Sequence, residues 1–294
     1  MVWQIDLSGK CIVVTGGNRG IGKAITEQCA QGEEEHASSS SHPTLGDCSG
    51  AGQPAPQPEI NLTDWCSAGA HVAIIYRSSP DAVEVAKSIA SQYSVRCVAY
   101  QCDVSDQRAV QDLFQKIYHD VGPIGGVVCN AGVQVGKPAL EMTKEDYNAQ
   151  FDPNVWGVFT CAQAAALLWK QHDYKNGRVV FVSSISGSIA NQGVPQCFYN
   201  ASKGALNVLA KTLAMEWADQ GILVNCLSPG FVDTDMNQQL RDDPEKKKFY
   251  SAKTMLGRIS DPSEQAGSVV FLLSDYATYT TGTQLIVDGG LTCW

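Results

Sequence analysis

Tyr199 and Lys203, four residues apart in Tyr-Asn-Ala-Ser-Lys, are the pair with the most chemical reach in this sequence. On a helix that spacing sets both side chains on one face. A free tyrosine titrates at about 10, and a neighbouring ammonium favours the phenolate and lowers that value. Tyr199 can then give a proton to a carbonyl near neutral pH, and Lys203 can also hydrogen-bond a nucleotide ribose. Such a pair also arises by chance on surface helices, so its surroundings decide its meaning. Just upstream runs Ser183-Ser184-Ile185-Ser186-Gly187, where a hydroxyl at Ser184 can hold a carbonyl oxygen beside Tyr199 and Ser186 is the rival. Asn154, in Asn-Val-Trp-Gly, can hold a water against a bent helix backbone and extend a proton relay. It can equally bond a backbone carbonyl.

A second constellation lies near the N-terminus. Thr15-Gly16-Gly17-Asn18-Arg19-Gly20-Ile21-Gly22 places Gly16, Gly20 and Gly22 in a GxxxGxG spacing between a strand-like run and a helix-like one. Glycines there allow a tight turn and let backbone approach a pyrophosphate, which the following helix N-terminus attracts. Gly16, Asn18, Arg19, Gly20, Ile21 and Gly22 are the candidate contacts. At the end of the second strand an acid would accept from a ribose 2′-hydroxyl and repel a 2′-phosphate. The sequence there reads Tyr76-Arg77-Ser78-Ser79. Arg77 offers a charge-assisted contact to phosphate, Ser78 a hydroxyl, and Arg19 a second positive charge. The cofactor predicted is NADP(H). Asp103 and Val104, closing the third strand, sit where a carboxylate can accept from an adenine amino group, or where Asp103 caps a helix. Asn130-Ala131-Gly132 ends the fourth strand with small residues against the cofactor, with Asn130 alternatively fixing the loop.

These residues need a frame. Strand-like apolar runs at Cys11–Thr15, His71–Tyr76, Val95–Gln101, Gly126–Cys129, Arg178–Val182, Ile222–Leu227 and Gln284–Val287 alternate with helix-like windows. Those windows are Gly20–Gln31, Pro80–Tyr93, Gln107–Val121, Lys144–Lys170, Cys197–Gln220 and Pro262–Ser274. The alternation predicts a parallel sheet with crossover helices, and continuous Val/Ile runs suit strands buried on both faces.

One stretch breaks the pattern. Residues 32–67 are rich in Ser, Pro, Gly and Gln, lack periodicity, and cannot bury enough apolar surface to order themselves. They interrupt a helix-to-strand connection of a kind that is usually about 2–6 residues long. Joining Gln31 to Ala68 restores a normal helix, glycine turn and strand. The segment reads as an insertion in a single domain spanning residues 1–294: a genuine disordered loop, or a retained intron or gene-model error. Asn61-Leu62-Thr63 matches a glycosylation sequon that a cytosolic protein would not use.

Composition narrows the classes. Of 294 residues, 44% are hydrophobic and 17% charged, which suits a globular domain. A net charge of −9 argues against a nucleic-acid partner, which needs clustered Lys and Arg. Lys246-Lys247-Lys248 lies beside Asp242, Asp243 and Glu245 and reads as a solvated helix face. No run approaches the ~20 apolar residues of a membrane span, and no secretory leader is evident. Eleven cysteines without a CxxC pair suit reduced thiols in the cytoplasm. Five histidines with no HxxxH spacing suggest no metal site.

The motifs TGGNRGIG, CDV, NAG, NVWG, SSISG, YNASK and Ser228-Pro229-Gly230 occur in that order. With them the chain resembles the short-chain dehydrogenase/reductase family over nearly its whole length apart from residues 32–67. More narrowly, VTGGNRGIG, VAIIYRSSPDAVEV, AYQCDVS, FYNASK and VDGGLTCW are similar to fungal NADP-dependent mannitol dehydrogenases and sorbose reductases. The resemblance implies a doubly wound seven-stranded parallel sheet of Rossmann type and a homotetramer. It implies the tetrad Asn154, Ser184, Tyr199 and Lys203, Ser184 being preferred to Ser186 because Ser184-Ile185-Ser186-Gly187 keeps the family's serine-x-x-glycine turn. Pro229, Gly230 and Val232 would line the nicotinamide, Thr234 would touch its amide or the phosphates, and residues 233–256 would form a substrate lid. The implied reaction is hydride transfer between NADPH and a ketone, with a ketose such as fructose or sorbose as substrate. A ketoreductase of secondary metabolism and a non-catalytic NADPH-binding scaffold are the alternatives. Two features depart from the family pattern: the insertion, and a slightly long Ser184–Tyr199 loop. That loop carries Asn191, Gln192, Gln196 and Cys197, which could contact a polyhydroxylated substrate.

Overall fold

The computed structural model describes residues 5–31, 69–238 and 242–294. Seven parallel strands form one sheet in the order β3-β2-β1-β4-β5-β6-β7. They are β1 Cys11–Thr15, β2 His71–Tyr76, β3 Cys97–Gln101, β4 Ile124–Cys129, β5 Arg178–Val182, β6 Leu223–Pro229 and β7 Gln284–Val287. The crossover helices are α1 Gly20–Ala30, α2 Ala82–Tyr93, α3 Gln107–Asp120, α4 Lys144–Phe151, α5 Gly157–Gln171 and α6 Cys197–Trp217. Two more follow, α7 Pro244–Ser251 and α8 Pro262–Leu273. This is the parallel sheet with crossover helices that the alternation predicts, in the doubly wound seven-stranded form that the resemblance implies.

The strands are apolar on consecutive positions because both faces are covered. In β1, Cys11 and Val13 pack with Phe114 of α3, Ala165 of α5 and Leu206 of α6. Their neighbours Ile12 and Val14 point the other way, onto Ile25 of α1, Ile89 of α2 and Val270 of α8. In β5, Val179 and Phe181 join the first layer, and Val180 and Val182 the second. Successive side chains of a strand point to opposite faces, so each interior strand feeds two cores.

Several boundaries differ by one or two residues from the sequence windows, and three differences have a local reason. β3 begins at Cys97 rather than Val95, after Ser94 turns left-handed at φ 55° and the Arg96 amide donates to His71 Nδ1. The single helix expected over 144–170 is interrupted. A π turn at Asp152–Trp156 separates α4 from α5. Pro153 cannot donate an i→i−4 bond, and a π-bulge absorbs the missing register. The window ending at Gln220 closes as a 3₁₀ turn over Ala218–Gln220.

The expected insertion at residues 32–67 lies outside the described residues, but both its flanks are visible. The Gly69 amide donates to the Gln31 carbonyl at 2.9 Å, and the Ala70 amide to the Cys29 carbonyl at 2.9 Å. Gly69 is left-handed, φ 59°, as a residue terminating a helix commonly is. The end of α1 is thus closed by the residues that lead into β2, across a gap that one residue spans. Deleting residues 32–67 and joining Gln31 to Ala68 is expected to leave a folded protein, with a thermal midpoint no lower than that of the full chain. A deletion variant that is insoluble or melts several degrees lower would contradict this closure.

Candidate active site

The strand order reverses direction between β1 and β4. In open α/β sheets ligands bind outside the carboxyl ends of the strands at such a switch point. Here the two strand ends are tied together. Thr15 Oγ1 accepts from the amides of Asn130 (3.0 Å) and Ala131 (2.9 Å), while Asn130 Nδ2 donates to the carbonyls of Thr15 (2.9 Å) and Gly16 (3.3 Å). Asn130 therefore fixes the loop. Thr15 does as much, and neither its type nor its spacing marked it in the sequence.

The glycine loop that follows β1 requires its glycines. Gly16 and Gly20 have φ of 66° and 51°, a region that side-chain-bearing residues avoid. A Cβ at Gly22 would run into the Gly16 carbonyl and the Asn130 amide. Thr26 Oγ1, fully buried, donates to the carbonyls of Gly17 (3.1 Å) and Gly22 (3.0 Å) and pins the loop from inside α1. Sequence reasoning missed it; its signal is a hydroxyl four residues beyond Gly22. Ile21 is half-buried behind the loop, and Arg19 is exposed at the start of α1.

The remaining cofactor candidates lie along the same edge. Arg77 and Ser78 are exposed at the end of β2, and Gln101 Nε2 holds the Arg77 carbonyl at 2.9 Å. Asp81, ahead of α2, hydrogen-bonds Ser79, and Asn18 Nδ2 reaches it at 3.5 Å. Asp103 is exposed and accepts from the Ser105 amide at 2.9 Å. It is Asp106, not Asp103, that caps α3. Val104 is buried against Gly157, and its carbonyl takes the Thr160 hydroxyl at 2.7 Å. At Gly132 a Cβ would lie 3.2 Å from Asn154 Oδ1 and 3.5 Å from Lys203 Nζ, so that glycine abuts the tetrad. Pro229 ends β6, and the Gly230 amide donates to Val287 at 3.0 Å. Val232 is buried in an isolated bridge to Ser260. Thr234 lies against Gly20, which places it beside the glycine loop. These residues lie at the carboxyl ends of β1, β2, β3, β4 and β6, where open α/β sheets hold a dinucleotide, and the glycines among them bring backbone to that edge with no side chain in the way.

Tyr199 and Lys203 share one face of α6 and are 8% and 4% exposed. Ser184 is the hydroxyl that sits by the Tyr199 phenol and favours its ionised form, and it accepts from the Ser186 amide at 3.1 Å. Ser186 is occupied elsewhere: its hydroxyl accepts from Asn191 Nδ2 at 2.7 Å and Gln196 Nε2 at 3.1 Å. The structure thus brings Ser184, and not its rival, to the tyrosine. A Cβ at Gly187 would meet the Lys203 carbonyl carbon at 2.7 Å and the Gly204 amide at 2.8 Å. This close approach lets the serine turn lie on α6, and the Ser183 hydroxyl reinforces it by donating to the Lys203 carbonyl at 2.9 Å.

One electrostatic expectation is corrected. Lys203 was expected to lower the Tyr199 pKa. Burial dominates instead and pushes the phenol up to about 12, opposed only by the Ser184 hydrogen bond. The ammonium stands 5.6 Å from the ring centroid and donates to the Val182 carbonyl at 2.7 Å. The same burial draws Lys203 down to about 8, with Cys226 opposing.

Asn154 is fully buried in the π turn. Its Oδ1 accepts from the Val133 amide at 2.8 Å, and its Nδ2 donates to the Val133 carbonyl at 2.8 Å and to Ser202 Oγ at 3.0 Å. The amides expected to face a substrate are partly committed within the protein. Gln196 is buried and bonded to both Ser186 and Gln134. Gln192 accepts from Lys253 at 2.6 Å, whereas Cys197 is exposed. Gln134, two residues past Gly132, is the partner of Gln196 that the sequence did not single out. Among the described residues, no group of three or more His, Cys, Asp or Glu is placed to hold a metal ion, and no helix is long and apolar enough to cross a membrane.

Comparison with known proteins agrees with this geometry. Residues 63–292 match the family model described as enoyl-(acyl carrier protein) reductase. The chain is 36% identical over 290 residues to a sorbose reductase of Candida albicans, covering 98% of this chain and 89% of that one. It is 33% identical over 292 residues to a probable NADP-dependent mannitol dehydrogenase of Yarrowia lipolytica, covering 99% and 90%. A crystal structure of a short-chain type dehydrogenase/reductase from Mycobacterium marinum superposes with a TM-score of 0.80 at 32% identity, covering 98% of each chain. By fold, motif order and relatives, the chain belongs to the short-chain dehydrogenase/reductase family of nicotinamide-dependent oxidoreductases.

Proposed function

We propose that the protein reduces a ketone to a secondary alcohol with NADPH, and that its substrates are a ketose and the corresponding polyol. The observation that carries this reading is the buried Tyr199–Lys203 pair, with Ser184 at the phenol, beside the glycine loop and Gly132. The cofactor, when bound, supplies the hydride. The chain's own residues do the rest. Ser184 orients the carbonyl oxygen. Tyr199, with its phenol held protonated by burial, donates the proton. Lys203 meets the nicotinamide ribose and places a positive charge where the phenolate forms. Asn154 holds the loop after β4 at Val133 beside them.

The NADPH preference rests on Arg77, Ser78 and Arg19. The strand end has no acid, and Asp81 further along is engaged with Ser79 and Asn18. The ketose preference is supported by the names of the sorbose and mannitol relatives. The test is cofactor oxidation by the purified protein with fructose and sorbose. Saturable turnover is expected with NADPH and much slower turnover with NADH. Arg77→Ala should weaken NADPH about tenfold or more while leaving NADH nearly unchanged, in line with the loss of one charge-assisted phosphate contact. Equal losses for both cofactors would overturn the assignment. Turnover of apolar ketones alone would replace the ketose with a hydrophobic substrate class.

The reaction should also report Lys203. With Tyr199 at about 12 and Lys203 at about 8, the phenol stays protonated across the working range while the ammonium titrates within it. Lys203 carries its charge below about 8 and loses it as the pH rises. The kcat/KM for reduction is therefore expected to be flat below about 8 and to fall above it. Lys203→Arg keeps a charge to much higher pH and should lack that limb, even at a lower absolute rate. The same alkaline limb in Lys203→Arg would assign it to another group.

A further inference from the structure

Ser202 lies in the interior of α6, one residue before Lys203, and no part of it reaches solvent. A serine there is not a helix-favouring choice, because its hydroxyl competes for backbone groups. It is bonded on both sides. Its Oγ accepts from Asn154 Nδ2 at 3.0 Å and donates to the Tyr199 carbonyl at 2.8 Å. The direction of each bond is fixed: the amide can only donate, so the single hydroxyl proton goes to the carbonyl.

Both donors of Asn154 are used by the same arrangement. Its two N–H groups go to Val133 and Ser202, and its oxygen takes the Val133 amide. The asparagine therefore clamps the residue after Gly132 on one side and is itself held to α6 on the other. Three segments meet here: the loop after β4, the π turn and α6. The π turn is the least regular of the three, and its position depends on side-chain tethers rather than on α-helical register. A Cβ at Gly132 would lie 3.2 Å from Asn154 Oδ1 and 3.5 Å from Lys203 Nζ, so the amide and the ammonium border the same small space, and displacement of Asn154 would be felt at the ammonium.

We infer that Ser202 is a positioning residue, which holds the Asn154 amide to the backbone of Tyr199 and thereby sets the place of Asn154 relative to the proton-transfer pair. The inference rests on the reductase reading for its kinetic consequence, but not for its structural one. Ser202→Ala would leave one buried Nδ2–H of Asn154 without its acceptor and free the amide to turn.

Two measurements on the full chain test it. The first is amide hydrogen exchange at Val133, whose N–H is held by Asn154 Oδ1 at 2.8 Å, with the Val180 amide in the core strand as the reference. Ser202→Ala is expected to speed exchange at Val133 several-fold with Val180 unchanged, since local opening is read separately from global opening. Unchanged exchange at Val133 would overturn the proposal, as would equal acceleration at both amides. The second is a double-mutant cycle on the reduction rate with Ser202→Ala, Asn154→Ala and the pair. Ser202→Ala should lower kcat about tenfold with KM within about twofold, the pattern of a lost transition-state interaction. The double variant should be no slower than Asn154→Ala alone. Losses that multiply would show that Ser202 does not act through Asn154. If the wild-type protein reduces no ketone at all, the reductase reading fails, and the exchange measurement still decides the place of Ser202.

Discussion

Lys203 is 4% exposed, and its Nζ donates to the Val182 carbonyl at 2.7 Å. Removing an ammonium from water is costly unless hydrogen bonds replace the solvent, and the pull of its pKa down to about 8 is the measure of that strain. Tyr199 is under the matching constraint, its ionised form penalised by the same burial. The chain places the two one turn apart on α6, over the carboxyl end of β5. Little of this pair would keep its chemistry on an exposed surface, where water would return both groups toward their ordinary values.

The rest of the structure keeps that pocket dry and in place. β5 and β6 bury every residue from Val179 to Val182 and from Val224 to Leu227, which gives α6 a rigid floor. Gly187 lets the serine turn settle directly on the α6 backbone, so that Ser184 reaches Tyr199. The Thr15–Asn130 bonds join β1 to β4 at the switch point, and Thr26 locks the glycine loop beside it. The glycine loop and the Ser184–Tyr199–Lys203 group are thus fixed to neighbouring strand ends of one sheet. They do not depend on loop order for their separation. The flanks of residues 32–67 are at the other end of β2, where the Ala70 amide bonds to Cys29.

Much of this was legible from residue order alone. The strand runs carry no alternation because both faces are buried, which identifies a parallel sheet before any coordinates. The glycine loop and the Tyr199–Lys203 spacing follow from local geometry and needed no tertiary information. What could not be read was set by partners distant in sequence. Thr15 matters because Asn130, far along the chain, brings two amides to it. Ser202 matters because Asn154 faces it. Gln196 was offered to a substrate because its type is right, yet it is buried between Ser186 and Gln134. The sign of the Tyr199 shift was misjudged for the same reason. The i,i+4 spacing gives proximity to a charge, but only the fold shows that desolvation outweighs it. Pro153 could have warned of the broken helix, since its missing donor is visible in the sequence.

The most direct measurement is the reduction rate of Tyr199→Phe with NADPH, taken together with NADPH binding to the same variant by fluorescence titration. Phe keeps the ring, the packing and the glycine loop, and removes only the hydroxyl beside Ser184. The expected result is binding within about threefold of wild type and a turnover lower by about 10²–10⁴, the usual contribution of a positioned proton donor. Retained binding with turnover within a few-fold of wild type would contradict the account, because the proton would then come from another group.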